Sequence, residues 1–393
     1  MDESRSSLRS GRVLGWVVLS ITALFLMFAP LPDWTINDFY TREFYPSLQR
    51  IVTSGTNFLP FAVLDVLIIA ASLMVLFGIL RVLRIAGNQG FIEALWDGIR
   101  RLLRAAALIV ILFLLGWGYN YRRQPLEQTF PTGHASTPTV ESLQAAVVDA
   151  NNLAAKLRHT IGPDMDQSYD QVAGALEKPM ETALTQLQQP PLAMPGRPKH
   201  SILLTPFFTW AGVTGMVNPI GLESVVHPDL LPFERPFVLA HEWAHLAGQA
   251  DEAQASAVGW LACMRGSPSL AYSASLYLIM ESASALPGEP RQVAMKQLDA
   301  GVRADIDAIL LRLQKGQPTV QRTASRVYDE YLRANRVVDG TASYGRALSL
   351  ILSPPLRDAL AAYPVADHDH RSREQATPEG KGKRAEGKGE VKG

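Results

Sequence analysis

Three apolar runs dominate the first third of the chain: Leu14 to Pro30, Phe61 to Leu83 and Ala105 to Tyr119. Each approaches the roughly 20 residues a helix needs to cross a hydrocarbon core of about 30 Å. Within the third run, Ile109-Val110-Ile111-Leu112-Phe113-Leu114-Leu115 is apolar on every side, which favours lipid over a soluble core. The first run follows Arg5, Arg9 and Arg12, as a cleaved signal would, but no small-x-small cleavage site comes after it. A retained helix is therefore expected. Trp16 and Trp34 flank the first run, and Trp117, Tyr119 and Tyr121 close the third, as interfacial anchors do.

The short loops set the orientation. Arg5, Arg9 and Arg12 precede the first run, and Arg84, Arg100 and Arg101 separate the second from the third. The loop between the first two runs mixes Arg42 and Arg50 with Asp33, Asp38 and Glu43. By the positive-inside rule the N-terminus and second loop are cytoplasmic. Three crossings then put everything after Tyr121 on the periplasmic or extracellular side. Asp65, near the outer end of the second run, can reach water and suggests no function.

Beyond Gln124 no run is long enough to span. Leu143 to Leu157 and Val172 to Leu187 carry apolar residues at helical spacing, and Pro190-Pro191 and Pro195-Gly196 mark a loop. Ser201 to Thr214, short, β-branched and aromatic, reads as a strand, and Met216 to Leu230 as a loop. Helices are expected over Pro236–Leu246, Asp251–Met264, Val302–Lys315 and Ala324–Ala334. After His368 the chain is almost devoid of apolar residues. The expected architecture is mainly α: a membrane anchor of three transmembrane helices (1–123), a mostly helical domain with a small β component (124–368) and a disordered charged tail (369–393).

Composition narrows this little. The 393 residues carry a formal net charge of zero, which gives no reason to expect a nucleic-acid partner. The single cysteine, Cys263, excludes an intramolecular disulfide and a cysteine-based zinc site.

Chemistry concentrates in His241-Glu242-Trp243-Ala244-His245, an HExxH pattern framed by Val238-Leu239-Ala240. Pro236 suits a first helical position, and Gly248 a helix stop. On a helix the two histidines lie one turn apart on one face, a spacing that lets both imidazoles bind one Zn²⁺ at about 2.0–2.1 Å. Glu242 then projects beside them as a general base. A catalytic zinc has three protein ligands and an open position. Asp251 and Glu252 are adjacent candidates for the third ligand. The string HEWAHLAGQAD fits an HExxHxxGxxD frame and nominates Asp251. A capping box of Asp251 with Gln254 would occupy that side chain and leave Glu252 free.

The chain resembles a bacterial membrane-protein family known as domain of unknown function 3810, presumed to contain zinc metallohydrolases. The resemblance is carried by Phe44-Tyr45-Pro46, Pro60-Phe61, Trp117-Gly118-Tyr119-Asn120-Tyr121, Pro236-Phe237, Tyr331-Leu332-Arg333-Ala334-Asn335 and Asp339-Gly340-Thr341-Ala342-Ser343-Tyr344. In the family pattern a Glu lies seven residues after the second His, followed by Glu-Ala-Asn. Here Glu252 keeps that Glu, while Gln254-Ala255-Ser256 departs. The resemblance implies a zincin-like domain with Glu252 as third ligand, and it supplies no substrate. Tyr331 and Tyr344 match aromatic positions of the pattern, where a hydroxyl could stabilise an oxyanion.

The sequence thus predicts a multi-pass cytoplasmic-membrane protein in which His241, His245 and Glu252 bind Zn²⁺ and Glu242 activates water for hydrolysis of a peptide or protein substrate. The alternatives are a noncatalytic membrane scaffold with structural zinc and an amidase acting on cell-wall peptides.

Overall fold

A computed structural model describes residues 2–130, 137–335, 337 and 344–364. The charged tail, His134 and the segment Asp339 to Ser343 lie outside the described residues. The fold is mainly helical, as the periodicity predicts, and residues 1–363 form one compact unit.

The N-terminal part contains α1 (Asp2–Phe28), a π-helical stretch (Thr35–Phe44) that runs into α2 (Tyr45–Asn57), then α3 (Val63–Gln89) and α4 (Phe91–Gly116). α4 packs on both α1 and α3. Among the described residues only α3 is both long and apolar enough to cross a membrane. That corrects the expectation of three equivalent spans. α4 is a full-length helix, but Arg100, Arg101 and Arg104 sit within it. Its uncharged part, Ala105 to Gly116, extends only about 18 Å at 1.5 Å per residue. The described apolar part of α1, Gly15–Phe28, is also short.

The second part begins with the short α5 (Leu126–Thr129), followed by α6 (Val140–Ile161), α7 (Tyr169–Gln186) and α8 (Thr205–Ala211). A two-stranded antiparallel hairpin follows: β1 (Gly215–Asn218) pairs with β2 (Glu223–Val226), with Gly215 opposite Val226 and Asn218 opposite Glu223. Then come α9 (Arg235–Leu246), α10 (Glu252–Met264), α11 (Pro268–Ala285), α12 (Gly288–Lys296), α13 (Ala300–Leu313), α14 (Pro318–Ala334), α15 (Tyr344–Ile351) and α16 (Pro354–Ala361). α10 is the centre of the core. Apart from Gln254 its residues are buried, and it packs against α7, α9, α11 and α15.

Two local expectations are corrected. Ser201 to Thr214 is not a strand: it makes a turn and then α8, which Pro206 starts and left-handed Gly212 stops. Met216 to Leu230 is not a loop throughout: β1 and β2 occupy part of it. α11 gave no amphipathic signal because it is buried on nearly all sides, from Leu270 to Ile279.

The two parts are knit together by buried polar contacts. Tyr45 Oη donates to the Leu246 carbonyl (3.1 Å), Gln49 Nε2 to the Met194 carbonyl (2.6 Å) and Thr53 Oγ1 to the Leu222 carbonyl (2.6 Å). The N-terminus of α3 is held by Glu223, which is fully buried. Its carboxylate accepts from the amides of Val63 (3.0 Å) and Leu64 (2.7 Å), two donors that have no partner inside the helix. Lys199 Nζ, also buried, donates to Glu223 (2.9 Å) and to the Thr56 carbonyl (2.6 Å). Asp65, expected to reach water, is instead buried and accepts from Ser201 Oγ and from the Ile202 amide (2.8 Å), so protein donors take the place of solvent.

Candidate metal centre

α9 and α10 build the site. Pro236 lies in the first turn of α9, and Gly248 adopts φ 94°, a left-handed conformation that ends the helix run. α10 then returns along α9 at close range. A Cβ at Gly259 would come within 2.9 Å of the His241 nitrogen, so only glycine allows this approach. The return sets the first turn of α10 against the histidine face of α9.

Three ligand-type atoms meet there. His241 Nε2 lies 3.1 Å from His245 Nε2, and Glu252 Oε2 lies 3.2 Å from the first and 3.5 Å from the second. Four ligands at about 2.0–2.1 Å around a tetrahedral ion stand about 3.3 Å apart. The three edges bracket that value, so the donors present fit a metal of zinc's size without rearrangement. Asp251 is not part of this group. It caps α10 by accepting from the amides of Ala253 (3.0 Å) and Gln254 (3.1 Å), and it pairs with Arg346. The Gln254 side chain does not close a capping box; its Oε1 accepts from the Leu126 amide (3.1 Å).

Outer contacts orient the group. His245 Nδ1 donates to the Gln249 carbonyl (2.6 Å), which turns Nε2 toward His241 and Glu252. Ser256 Oγ lies 3.2 Å from His241 Nδ1. Tyr328 of α14 donates its hydroxyl to Glu252 Oε1, the oxygen turned away from the imidazoles. The Trp117 ring meets His245 edge-on, with centroids 6.3 Å apart. Two groups cap the C-terminal end of α9, Tyr45 through the Leu246 carbonyl and Arg123 Nη1 through the Ala247 carbonyl (3.1 Å). Tyr331, singled out from the sequence, stands one layer back, its hydroxyl 3.3 Å from that of Tyr121. The side chain of Tyr344 lies outside the described residues.

Glu242 stands outside this group of three but close enough to feel the charges of His245 and Glu252. Its side chain is buried against Gly215 of β1, where any Cβ would come within 2.6 Å of Oε1, and Oε2 has no hydrogen-bond partner among the described residues. Burial pushes its carboxyl up to about 8, against the pull of His245 and with the push of Glu252. Burial alone would also raise Glu252, yet the His245 charge and hydrogen bonds from both imidazoles hold it well below the ordinary carboxylate range. An uncompensated buried carboxylate costs several kcal/mol in a protein interior. A cation among His241, His245 and Glu252 would favour the ionised form of both acids.

Sequence reasoning missed Tyr328. It lies 76 residues after Glu252, with no local pattern linking the two. The family resemblance took in Tyr331, three positions further along α14.

A search of curated proteins and a search of solved structures each return no match. The family model described as "Protein of unknown function (DUF3810)" matches residues 40–352, from just ahead of α2 through α15. That match takes in α9, α10 and Tyr328 and covers most of the 393 residues, and the chain belongs to this family.

Proposed function

We propose that this protein is a membrane-anchored zinc metallopeptidase with a zincin-like domain, hydrolysing peptide bonds on the outer side of the cytoplasmic membrane. The observation that carries the reading is the triangle of donor atoms at 3.1, 3.2 and 3.5 Å with a partnerless buried carboxylate beside it. His241, His245 and Glu252 would hold the ion. Bound zinc would supply Lewis acidity, drawing the pKa of a water down toward about 7 and polarising a scissile carbonyl. Glu242 takes the proton that the attacking water loses and returns it to the departing amine nitrogen, so hydrolysis needs no further acid. The carbonyl of Gln249 fixes the His245 tautomer, and Tyr328 fixes the Glu252 rotamer. A scaffold with structural zinc has no use for Glu242, whose burial without a partner carries a cost.

Metal content tests this directly. Purified full-length protein should bind one zinc per chain, and His245→Ala should bind none, because one imidazole cannot hold the ion. Glu252→Ala should bind far more weakly, and Asp251→Ala nearly as well as the parent. Zinc retained by Glu252→Ala and lost by Asp251→Ala would overturn the ligand set.

The anchor reading extends α3 to a bundle in which the shorter apolar stretches of α1 and α4 also cross, α4 packing on both α1 and α3. Arg81, Arg84, Arg100, Arg101 and Arg104 cluster toward the α3–α4 connection, where Asp97 bridges Arg81 (3.2 Å) and Arg101 (2.8 Å). By the positive-inside rule that end faces the cytoplasm. Alkaline phosphatase fused after Gln128 should be active in cells, and the same enzyme fused within residues 87–95 should be inactive. The reverse pattern would sink the topology.

A further inference from the structure

α8, which packs on α14 through one side, and the turn before it present exposed apolar side chains. Ile202 is 81 % exposed, and Leu203, Phe207 and Trp210 are also exposed. Within α8, Phe207 and Trp210 stand three residues apart and so share one side, while Phe208 points inward, packed with Ala62 and Val225. No charged residue occurs from Ser201 to Thr214. Exposed apolar clusters of this kind mark contacts with a partner or a membrane.

The attachment of the segment identifies the occupant. Asp65, in the first turn of α3, holds Ser201 and the Ile202 amide, and Leu64 and Leu204 join the same small core. The apolar face is therefore fixed level with the point where α3 begins. Phe58 (86 % exposed) and Phe61, in the connection leading into α3, are exposed aromatics as well. Tryptophan at such a level matches the preference of indole for the headgroup zone.

We propose that the segment 201–211 is immersed in the headgroup–acyl boundary of the leaflet that α3 enters, with Ile202, Leu203, Phe207 and Trp210 in lipid. The occupant is the bilayer itself, and the proposal rests on α3 being a span. The Asp65 clamp then sets the depth of the segment, and α8 holds the domain down against the membrane as a second, monotopic contact.

A lipid-depth experiment tests it. Cys263, the sole cysteine, is buried, so Ile202→Cys and, separately, Leu76→Cys on exposed α3 each offer one accessible thiol for a polarity-sensitive fluorophore. The full-length protein is reconstituted in phosphatidylcholine vesicles with acyl chains brominated near the headgroup or near the chain end. Both labels should lose most of their emission to bromolipid, the label at 202 more strongly to bromine near the headgroup. Quenching at 76 without quenching at 202, with iodide reaching 202 from water, would overturn the proposal and leave the span standing. Quenching at neither position would overturn both. A label at 202 shielded from bromolipid and iodide alike would mean that a second copy of the chain covers the face, and would also overturn it.

Discussion

Glu242→Gln should lower peptide hydrolysis by at least the ~10²–10⁴-fold typical of lost general acid–base help, while zinc content stays at one per chain. The substitution preserves volume and removes only the proton acceptor. Its carboxylate is not within the triangle of His241, His245 and Glu252, so the metal should be indifferent to it. Stability should hold or rise slightly, because an amide is less costly to bury than a carboxylate whose Oε2 has no partner. The measurement is a digest of a mixed peptide library by the reconstituted protein, read by mass spectrometry, beside metal analysis of the same samples. Parent-level cleavage by the zinc-loaded variant would remove Glu242 from the mechanism. Parent-level complementation by it in cells would favour a scaffold.

Glu223→Ala should be the most destabilising single change among the junction residues. It would strip the Val63 and Leu64 amides of their acceptor and leave the Lys199 ammonium buried and unpaired. Breaking a buried pair from one side costs about 3–5 kcal/mol, a large share of the ~5–15 kcal/mol that holds a typical domain. In a thermal scan of the detergent-solubilised chain, that corresponds to a fall in Tm of about 10 °C. Glu223→Ala combined with Lys199→Met should recover part of the loss, since the orphaned charge is then gone. A shift of a degree or two in the single variant would mean that water or a neighbouring group satisfies Lys199, and that the clamp contributes little.

The metal-centre residues were legible because HExxH encodes their geometry locally: two residues four apart on a helix must face the same way, whatever surrounds them. Glu252 needed the family resemblance, since Asp251 beside it offers the same chemistry and only the capping contacts distinguish them. Tyr328, Glu223, Lys199 and Asp65 were not legible. Their roles depend on partners 76, 160, 143 and 136 positions away, and no period or spacing carries that information. The segment 201–214 was misread because β-branched and aromatic residues fit a strand and a short surface helix equally well. Pro206 and Gly212 were the available cues to the helix. The apolar runs were legible from composition, but among the described residues only α3 is long and apolar enough to cross a membrane, the arginines inside α4 leaving it a short uncharged stretch.

The docking of α2 bears on how such a protein can be rearranged in evolution. Tyr45, Gln49 and Thr53 supply hydrogen bonds to the backbone at Leu246, Met194 and Leu222, so they are parts of the half that carries the candidate site although they precede α3. The family match also begins at residue 40, ahead of α2 and past α1. Gene fusion that joined residue 124 onward to a foreign anchor would inherit a metal-centre loop lacking the Tyr45 and Arg123 caps, with Lys199 and Glu223 facing no helix. The smallest transferable module therefore runs from α2 and carries the α3–α4 hairpin with it, so a fusion that keeps the candidate site intact keeps these helices too.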